Sequence, residues 1–575
     1  MSRMLREKTK ALLSVERGAV FKAAGADVEI ALAYPNTYHV GMSNLGVHQI
    51  YSVLNGRDDT ACERVFLPDE EDIEEYDRSN TKLFALESGR PIRDFDILAF
   101  SVSFEHDYLN VLEMLRLSGI PSAKKDRGPD DPLLVLGGIC TFFNPEPLSE
   151  FFDVVIVGEG EEIAGEFLDS YTANRGQERH ELLRALAVLP GVYIPEFYDI
   201  LYHTDGTISE RRPLMAGAPA KIVKRAVKDL DRKPAATVIL SPHTEFSDMH
   251  LAEVARGCGR HCRFCMAGYI YLPPRNLSAD EARSEARKAD ASCGKIGLVG
   301  SALSDYPGVD DLCSSIAGSL SVSSLRADSL SRTLIDRLAK SGHKTIAIAP
   351  EAGSERLRKV INKGVTEEDI LRAADLIFGA GIPNLKLYFI IGLPTETQDD
   401  IDAIVALAGK VHEVQLKHAR PAGRIGRITL SVNSFVPKPF TPFQWEPMED
   451  VPGLNRKQRY LEKAVKSIGN MNLNHDLPKG EFIQALLSRG DRRVGGLLMA
   501  AHAKGGDWKA AARGLGIDMD QFVTRRRSFD EVLPWDFVDI GVRKEYLKNE
   551  HDRSLEGKFT PPCRVGSCKT CGVCA

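Results

Sequence analysis

Between residues 27 and 160, short apolar runs alternate with stretches of helical periodicity: DVEIALAY, GVHQIYSVLN, DILAFSVS, YLNVLEMLRLSGIP, PLLVLGG and VVIVGEG. Uninterrupted apolar runs spaced by amphipathic helices predict a parallel sheet with helices over it, a doubly wound α/β domain. A helical stretch from Glu161 and a hairpin-like GVYIPEFYDILYHTDGTI follow, and the polar VKRAVKDLDRKPAA at 223–236 predicts a boundary. From Thr237 a second alternation begins, with strands predicted at TVIL, KIGLVG, SLSVSSL, KTIAIAP, NLKLYFIIG and ITLSVNSFVP and helices such as EEDILRAADLIFGAG between them. Such a series predicts a partial or full (β/α) barrel. After Pro447 the pattern turns helical (KQRYLEKAVKSI, EFIQALL, RRVGGLLMAAHA, WKAAARG), and the closing TPPCRVGSCKTCGVCA is too short for a core. The expected organisation is an α/β domain over 1–235, a barrel over 236–450, a helical domain over 451–560 and a cysteine-rich tail over 561–575.

Composition narrows the function. The chain has 575 residues, 43% hydrophobic and 27% charged, with a net charge of -6, which excludes wholesale disorder and a protein that coats nucleic acid by charge alone. The longest apolar run, at 133–143, is shorter than the roughly 18 residues of a membrane-spanning helix. The opening MSRMLREKTKALLSVERG has no apolar block with a small-residue cleavage site, so a cytoplasmic protein without a membrane partner is expected. Of 11 cysteines, seven fall into two tight clusters, a usage that points to metal or redox chemistry rather than disulfides. Cys62, Cys140, Cys293 and Cys313 read as small buried apolar residues, with Cys140 next to a glycine pair.

Cys258, Cys262 and Cys265 form CxxxCxxC in RGCGRHCRFCMAG, directly after the first expected barrel strand. Three thiolates on one loop can hold three irons of a cubane and leave the fourth open to a small chelating molecule. Zinc is the alternative, but it usually takes four ligands, and only His261 lies within the loop as a fourth.

The spacing resembles that of the radical SAM superfamily over residues 237–447. The resemblance implies a [4Fe-4S] cluster whose open iron is chelated by S-adenosylmethionine, with Phe264 beside the adenine. VGSAL at 299–303 stands where the family's Gly-Gly-Glu strand end meets the methionyl amine; Gly300 fits, while Ser301 and Ala302 replace the rest. SSLRAD at 323–328 and APEAGSERLRKVINKG at 349–364 are similar to the strand ends that serve the ribose and carboxylate, which implies Ser324, Arg326, Glu351 and Ser354, with Arg356 and Lys363 nearby. IIGLPTET resembles the fifth-strand motif, in which Gly392 and Pro394 let the backbone approach the adenosine, and SFVPKPFTPFQW the sixth-strand end.

The segment PLLVLGGICTFFNPEPLSEFFDVVIVGEGEE resembles the Gly-Gly and GEGE region of cobalamin-binding domains that precede such barrels. It implies Gly137 and Gly138, with Ser101 and Ser103 on a neighbouring strand end, around a nucleotide tail. Where those domains carry DxHxxG, NTYHVG places Asn36, Tyr38 and Gly41, with His39 displaced by one, so a histidine ligand to cobalt is not expected. Cobalamin bound without a lower protein ligand, or a retained scaffold holding only substrate, are the two readings. The whole chain is similar to a little-characterised radical SAM family with such a front end.

Cys563, Cys568, Cys571 and Cys574 form C-x4-C-x2-C-x2-C, which suits a second iron-sulfur cluster or zinc. Arg489, Arg492, Arg493 and the run 525–527 give the helical region a positive excess, read as solvated helix faces or as a surface for RNA. The expected function is a radical SAM enzyme fed by a flavodoxin- or ferredoxin-type donor that transfers a methyl or related group to an RNA, protein or smaller substrate. A cobalamin or redox sensor that binds the cluster without turnover is the alternative.

Overall fold

The computed structural model describes residues 2–22, 25–323 and 325–574. The front sheet has six strands, β1 (Val28–Tyr34), β2 (Thr60–Phe66), β3 (Ile97–Ser101), β4 (Leu133–Gly137), β5 (Val154–Ile156) and β6 (Val192–Tyr193). Their spatial order is β2-β1-β3-β4-β5-β6, parallel except for β6. Helices α1 (Leu45–Asn55), α2 (Tyr108–Ser118) and α3 (Gly160–Asn174) pack around it. All of β1 but Glu29 is buried, because a parallel sheet covered on both faces has no polar side. The strand order reverses between β1 and β3, and such a switch point leaves a crevice beyond the carboxyl ends of the strands.

The second unit is an open barrel in two parallel sheets. One holds β7 (His250–Glu253), β8 (Lys295–Val299) and β9 (Ser319–Val322). The other holds β10 (Thr345–Glu351), β11 (Asn384–Ile391), β12 (Ile428–Ser434) and β13 (Met471–His475). Helices α4 (Ala279–Ser292), α5 (Arg332–Lys340), α6 (Glu367–Gly379) and α7 (Gln398–Ala422) lie between successive strands. Along β11 the residues Leu385, Leu387, Phe389 and Ile391 are buried and alternate with half-buried Lys386, Tyr388 and Ile390, the period of two expected of a strand with one face in the core. The strand β13 lies past Pro447, where the sequence pattern turns helical: its MNLNH has no apolar run and owes its conformation to pairing with β12.

Helices α8 (Val451–Val465), α9 (Pro478–Arg489), α10 (Arg493–Ala503) and α11 (Lys544–Leu555) make up the expected helical region. It is stitched to the rest rather than separate. Val538–Asp539 pairs with Ile222–Val223, and the Asn144 side chain donates to the carbonyls of Ser488 (3.0 Å) and Gly490 (2.7 Å). The basic runs serve these seams. Arg489 is buried and donates to the carbonyls of Glu446 and Val523, Arg527 is buried and donates to the Arg489 carbonyl, and Arg492 pairs with buried Glu146 at 3.1 Å. Arg493 pairs with Asp491, Arg525 with Glu531 and Arg526 with Glu446. Arg489 and Arg527 are thus interior ties and Arg492 an interface tie rather than solvated faces, whereas Arg526 is exposed and Arg493 and Arg525 are half-buried, so the solvated reading keeps these three. Cys62, Cys140 and Cys313 are buried as expected, whereas Cys293 is half-exposed.

The front domain meets the segment leading into the barrel through His48 on α1. Its ring nitrogens bond the Met42 carbonyl at 2.9 Å and the backbone N–H of Val238 at 3.2 Å. Burial pushes the His48 pKa down to about 4, against the Met42 carbonyl, which favours the charged ring. The unfolded chain therefore binds a proton here, near pH 6.5, before the folded one does, and stability falls as pH drops from about 6.5 toward 4, by at most ~3 kcal/mol. Thermal melts at pH 7.5 and 5.0 should show wild type losing more on acidification than His48→Gln; equal losses would refute this account.

Candidate active site

The cysteine loop starts where β7 ends. Ala255–Arg256 pairs briefly with Arg275–Asn276, and Gly257 then turns with φ 83°, where an added Cβ would lie 2.7 Å from the Tyr271 carbonyl, so the position requires glycine. Cys262 is buried, Cys258 and Cys265 are half-buried, and the Cys265 N–H donates to the Cys262 carbonyl at 3.1 Å. Burial pushes up the Cys258 thiol, and burial together with the charges of Cys262 and Cys258 pushes Cys265 up to about 12. Cys258 and Cys265 therefore favour the neutral thiol unless a cation lies beside them, and three cysteines on one loop are the donor set of an iron-sulfur core. Among the described residues, no three His, Cys, Asp or Glu side chains are drawn together as they would be around a single ion.

The expected strand-end residues gather beside this loop. Arg326, after β9, donates to Asp328 at 2.9 Å and to the Lys363 carbonyl at 2.9 Å; Lys363 in turn pairs with Glu351 at the end of β10, at 3.0 Å. Both cations lie within electrostatic reach of Cys262. Glu351 is left-handed, with φ 67°, next to an irregularity in the β10–β11 ladder. Phe264 and Ile390 pack on a small apolar cluster of Ala352, Leu357, Ile361, Leu393, Phe435 and Phe443.

Gly300 exchanges hydrogen bonds with the Ser323 hydroxyl, at 3.1 Å through its N–H and 3.0 Å through its carbonyl, and Ser301 is exposed. Ser324 lies outside the described residues. The Ser354 hydroxyl caps a short helix by accepting from the Leu357 N–H at 3.0 Å and donates to Asp400, which also holds Arg356. These two residues thus lash the loop after β10 to the loop after β11. In that second loop Gly392 has φ 79° and donates its N–H to Glu396 at 2.9 Å, beside half-buried Pro394.

Sequence reading missed three supporting residues. Arg260 pairs with Asp305 at 2.6 Å and Asp328 at 3.1 Å; buried Asn362 donates to the carbonyls of Arg260 and His261; Arg263 is fully buried. Their only local signal was polar character within or opposite the cysteine loop.

The front domain contains a cavity of about 400 Å³. Its apolar wall comes from one face of the sheet (Ile30, Leu32, Ile97, Ala99, Val135, Ile156), and its rim from Ser101, Ser103, Gly137 and Gly138. Gly138 has φ 95°, and a Cβ there would lie 2.4 Å from the Val102 carbonyl. Glu253, Arg256, Tyr271 and Val299 of the barrel line the same cavity, which makes it a space shared by both units. The NTYHVG loop faces elsewhere: Tyr38 donates to Glu16 at 2.6 Å, and exposed His39 bonds Glu245 at 3.0 Å and the His243 carbonyl at 3.2 Å. The apolar wall and glycine rim fit a flat cofactor tail, and neither Tyr38 nor His39 lines the space.

In the tail, Cys571 is buried and Cys563, Cys568 and Cys574 are half-buried. Burial, then the charges of Cys574, Cys571 and Cys568, pushes the Cys563 thiol up to about 11. Arg543 anchors them, donating its side chain to the Thr570 carbonyl at 2.7 Å and its N–H to the Cys571 carbonyl at 2.9 Å. No helix of the described residues is long and apolar enough to cross a membrane.

Two family models match, "Radical SAM proteins, N-terminal" over residues 46–195 and "Radical SAM superfamily" over 252–408. The tRNA-2-methylthio-N(6)-dimethylallyladenosine synthase of Jannaschia sp. is 28% identical over 176 residues, 28% of this chain and 38% of that one. The solved cobalamin-dependent S-adenosylmethionine radical enzyme OxsB, with aqua-cobalamin and S-adenosylmethionine bound, is 15% identical over 85% of this chain and 67% of that one, with a TM-score of 0.47. In a second OxsB structure with aqua-cobalamin bound, the chain spans about half of the matched protein, 52%, at 17% identity and a TM-score of 0.44. The uncharacterized protein MJ0966 of Methanocaldococcus jannaschii is 32% identical over 475 residues, 81% of this chain and 89% of that one. With that relative aligned along most of its length, and with both family models falling on the two α/β units, the chain belongs to the radical SAM superfamily.

Proposed function

We propose that the chain reductively cleaves S-adenosylmethionine at a [4Fe-4S] cluster held by Cys258, Cys262 and Cys265, and uses the resulting radical to open a substrate C–H bond to a methyl or related group brought by a separate carrier. The observation that carries the reading is the single loop of three thiols ringed by Arg326, Lys363 and Glu351. With the cluster and S-adenosylmethionine bound, one electron from a flavodoxin- or ferredoxin-type donor would break the bond from the sulfonium to C5′, releasing methionine and supplying a 5′-deoxyadenosyl radical that would take a hydrogen atom from a substrate C–H bond and end as 5′-deoxyadenosine. Phe264 and Ile390 form the apolar wall for the adenine, and Gly392 and Pro394 let the backbone approach the adenosine. Gly300 and Ser301 serve the methionyl amine. Ser324, Arg326 and Glu351 serve the ribose and carboxylate, with Ser354 holding the Asp400 seam beneath them.

The shared cavity supports cobalamin as a second cofactor, with Ser101, Ser103, Gly137 and Gly138 at the rim and no histidine below the cobalt. Bound there, cobalamin supplies a carrier for a methyl group. The acceptor is an RNA, a protein or a smaller molecule; the name of the matched synthase supports RNA, while buried Arg489 and Arg527 contribute no surface for it.

Replacing Cys258, Cys262 or Cys265 by Ala should reduce 5′-deoxyadenosine formation under dithionite to background in anaerobically reconstituted protein. Unchanged cleavage in all three variants would reject the assignment, and wild type that binds a cluster but never cleaves S-adenosylmethionine would favour a sensor.

Anaerobic titration with hydroxocobalamin should show binding that Ala99→Trp, which fills the cavity wall, weakens about tenfold or more. His39→Ala should leave the optical spectrum of the bound form unchanged. Failure of wild type to bind, or a spectrum that shifts in His39→Ala, would overturn the cofactor assignment.

A further inference from the structure

The cysteine tail lies on the cluster loop itself. The N–H of Cys563 donates to the carbonyl of Gly259 at 2.7 Å, and Gly259 directly follows Cys258. Contact there is close enough that a Cβ on Gly259 would stand 3.1 Å from the Cβ of Cys563, so only glycine admits the tail without displacement. The approach is built, because the chain leading to Cys563 is held at every step. Asn362 accepts from the Thr560 N–H at 2.9 Å and donates to the Thr560 carbonyl at 3.1 Å, while its amide also holds the His261 carbonyl. Arg263, two residues before Cys265, donates to the Lys558 carbonyl at 2.7 Å and pairs with buried Glu550 at 3.1 Å. His261 of the central loop is buried, its Nδ1 has no partner, and its ring lies 6.1 Å from that of Tyr546 on α11, the helix whose N-terminal Arg543 anchors the Cys571 backbone.

We infer that the tail carries a second iron-sulfur cluster, ligated by Cys563, Cys568, Cys571 and Cys574, and that this cluster is the electron-entry port to the S-adenosylmethionine cluster. The inference rests on the radical SAM reading for its acceptor. Spacing favours iron: Cys568, Cys571 and Cys574 repeat the C-x2-C-x2-C of ferredoxin-type cluster loops, whereas structural zinc sites pair two separated CxxC units. Connectivity favours transfer. From the Cys563 sulfur the path runs through covalent bonds to its N–H, across one 2.7 Å hydrogen bond to the Gly259 carbonyl, and through covalent bonds again to the Cys258 sulfur. Held there, the tail cluster would accept one electron from a donor of the flavodoxin or ferredoxin class and pass it through this contact to the central cluster, returning to its oxidised state, and the central cluster would supply that electron to the sulfonium.

Two measurements on full-length protein test this. Iron and acid-labile sulfide in the Cys258→Ala, Cys262→Ala, Cys265→Ala triple variant should remain at about four of each per chain, with a reduced-cluster magnetic-resonance signal. Zinc alone, or no metal, in that variant overturns the inference whether or not wild type cleaves S-adenosylmethionine. The Cys568→Ser, Cys571→Ser double variant should then form 5′-deoxyadenosine with dithionite, a small reductant, within about twofold of wild type, but about tenfold or more slowly with reduced flavodoxin. Equal rates with flavodoxin overturn the relay, and so does a matching loss with dithionite, which would make the tail a brace for the loop. Failure of wild type under dithionite would count against the cleavage reading instead and leave the iron count to decide the tail.

Discussion

Arg256 is the charge on which the two α/β units are hinged. Its guanidinium reaches Glu159 at 2.7 Å, Glu161 at 2.6 Å and Glu253 at 2.6 Å, and Arg275 adds a second bond to Glu159 at 2.7 Å. Burial works against the Glu159 carboxylate, yet Arg275 and Arg256 hold it below the ordinary carboxylate range. An ion network removed from water is tolerable only when every partner is in place, and losing one leaves an unpaired buried charge worth several kcal/mol, about 3–5. The units therefore cannot shift independently without breaking it. Arg256 also stands two residues before Cys258, so the network that closes the seam fixes where the cluster loop begins.

That seam explains why the GEGE stretch looks as it does. Gly158 has φ 128°, and a Cβ there would lie 2.3 Å from the Arg225 carbonyl, so the segment leading into the barrel crosses the sheet where only glycine fits. Glu159 then accepts from the Val227 N–H at 2.8 Å and from both arginines, while still lining the front cavity. One short motif thus fastens the crossing segment, supplies part of the cavity wall and anchors the loop that follows β7. A ligand seated against the rim meets groups already committed to the geometry of the cysteine loop.

Local chemistry was legible in the sequence and long-range chemistry was not. The three central cysteines, the Gly137-Gly138 pair and the alternation of apolar runs carry their meaning in spacing, and the two parallel units follow from that alternation. The strand β13 carries no such signal, since MNLNH becomes a strand only because β12 offers an edge. The arginines of the helical region looked like solvent-facing charge because sequence shows charge and not its partner; Glu146, some 346 residues away from Arg492, is visible only in the fold. Ser354 read as a ligand contact, and its hydroxyl is in fact engaged by a helix cap and Asp400. Asn362 and Gly259 look like ordinary loop residues, although one ties the tail down and the other makes room for it.

Backbone cost is also carried in and around the cysteine loop. His261, Glu351, Asn362 and Thr395 all have left-handed φ values between 52° and 67° without being glycine, a conformation that costs on the order of 1–2 kcal/mol at each. Each is held by bonds that would be lost if it relaxed: His261 through its carbonyl to Asn362, Asn362 through its amide to the loop and the tail, Glu351 through Lys363, and Thr395 through Arg356. Arg256 restrains the start of the same loop through the interdomain ion network, and Asn362 restrains it again through its bonds to the loop and the tail. The loop cannot move without giving up one of these sets of contacts, so its conformation and the joining of the two units are one mechanical property of this fold.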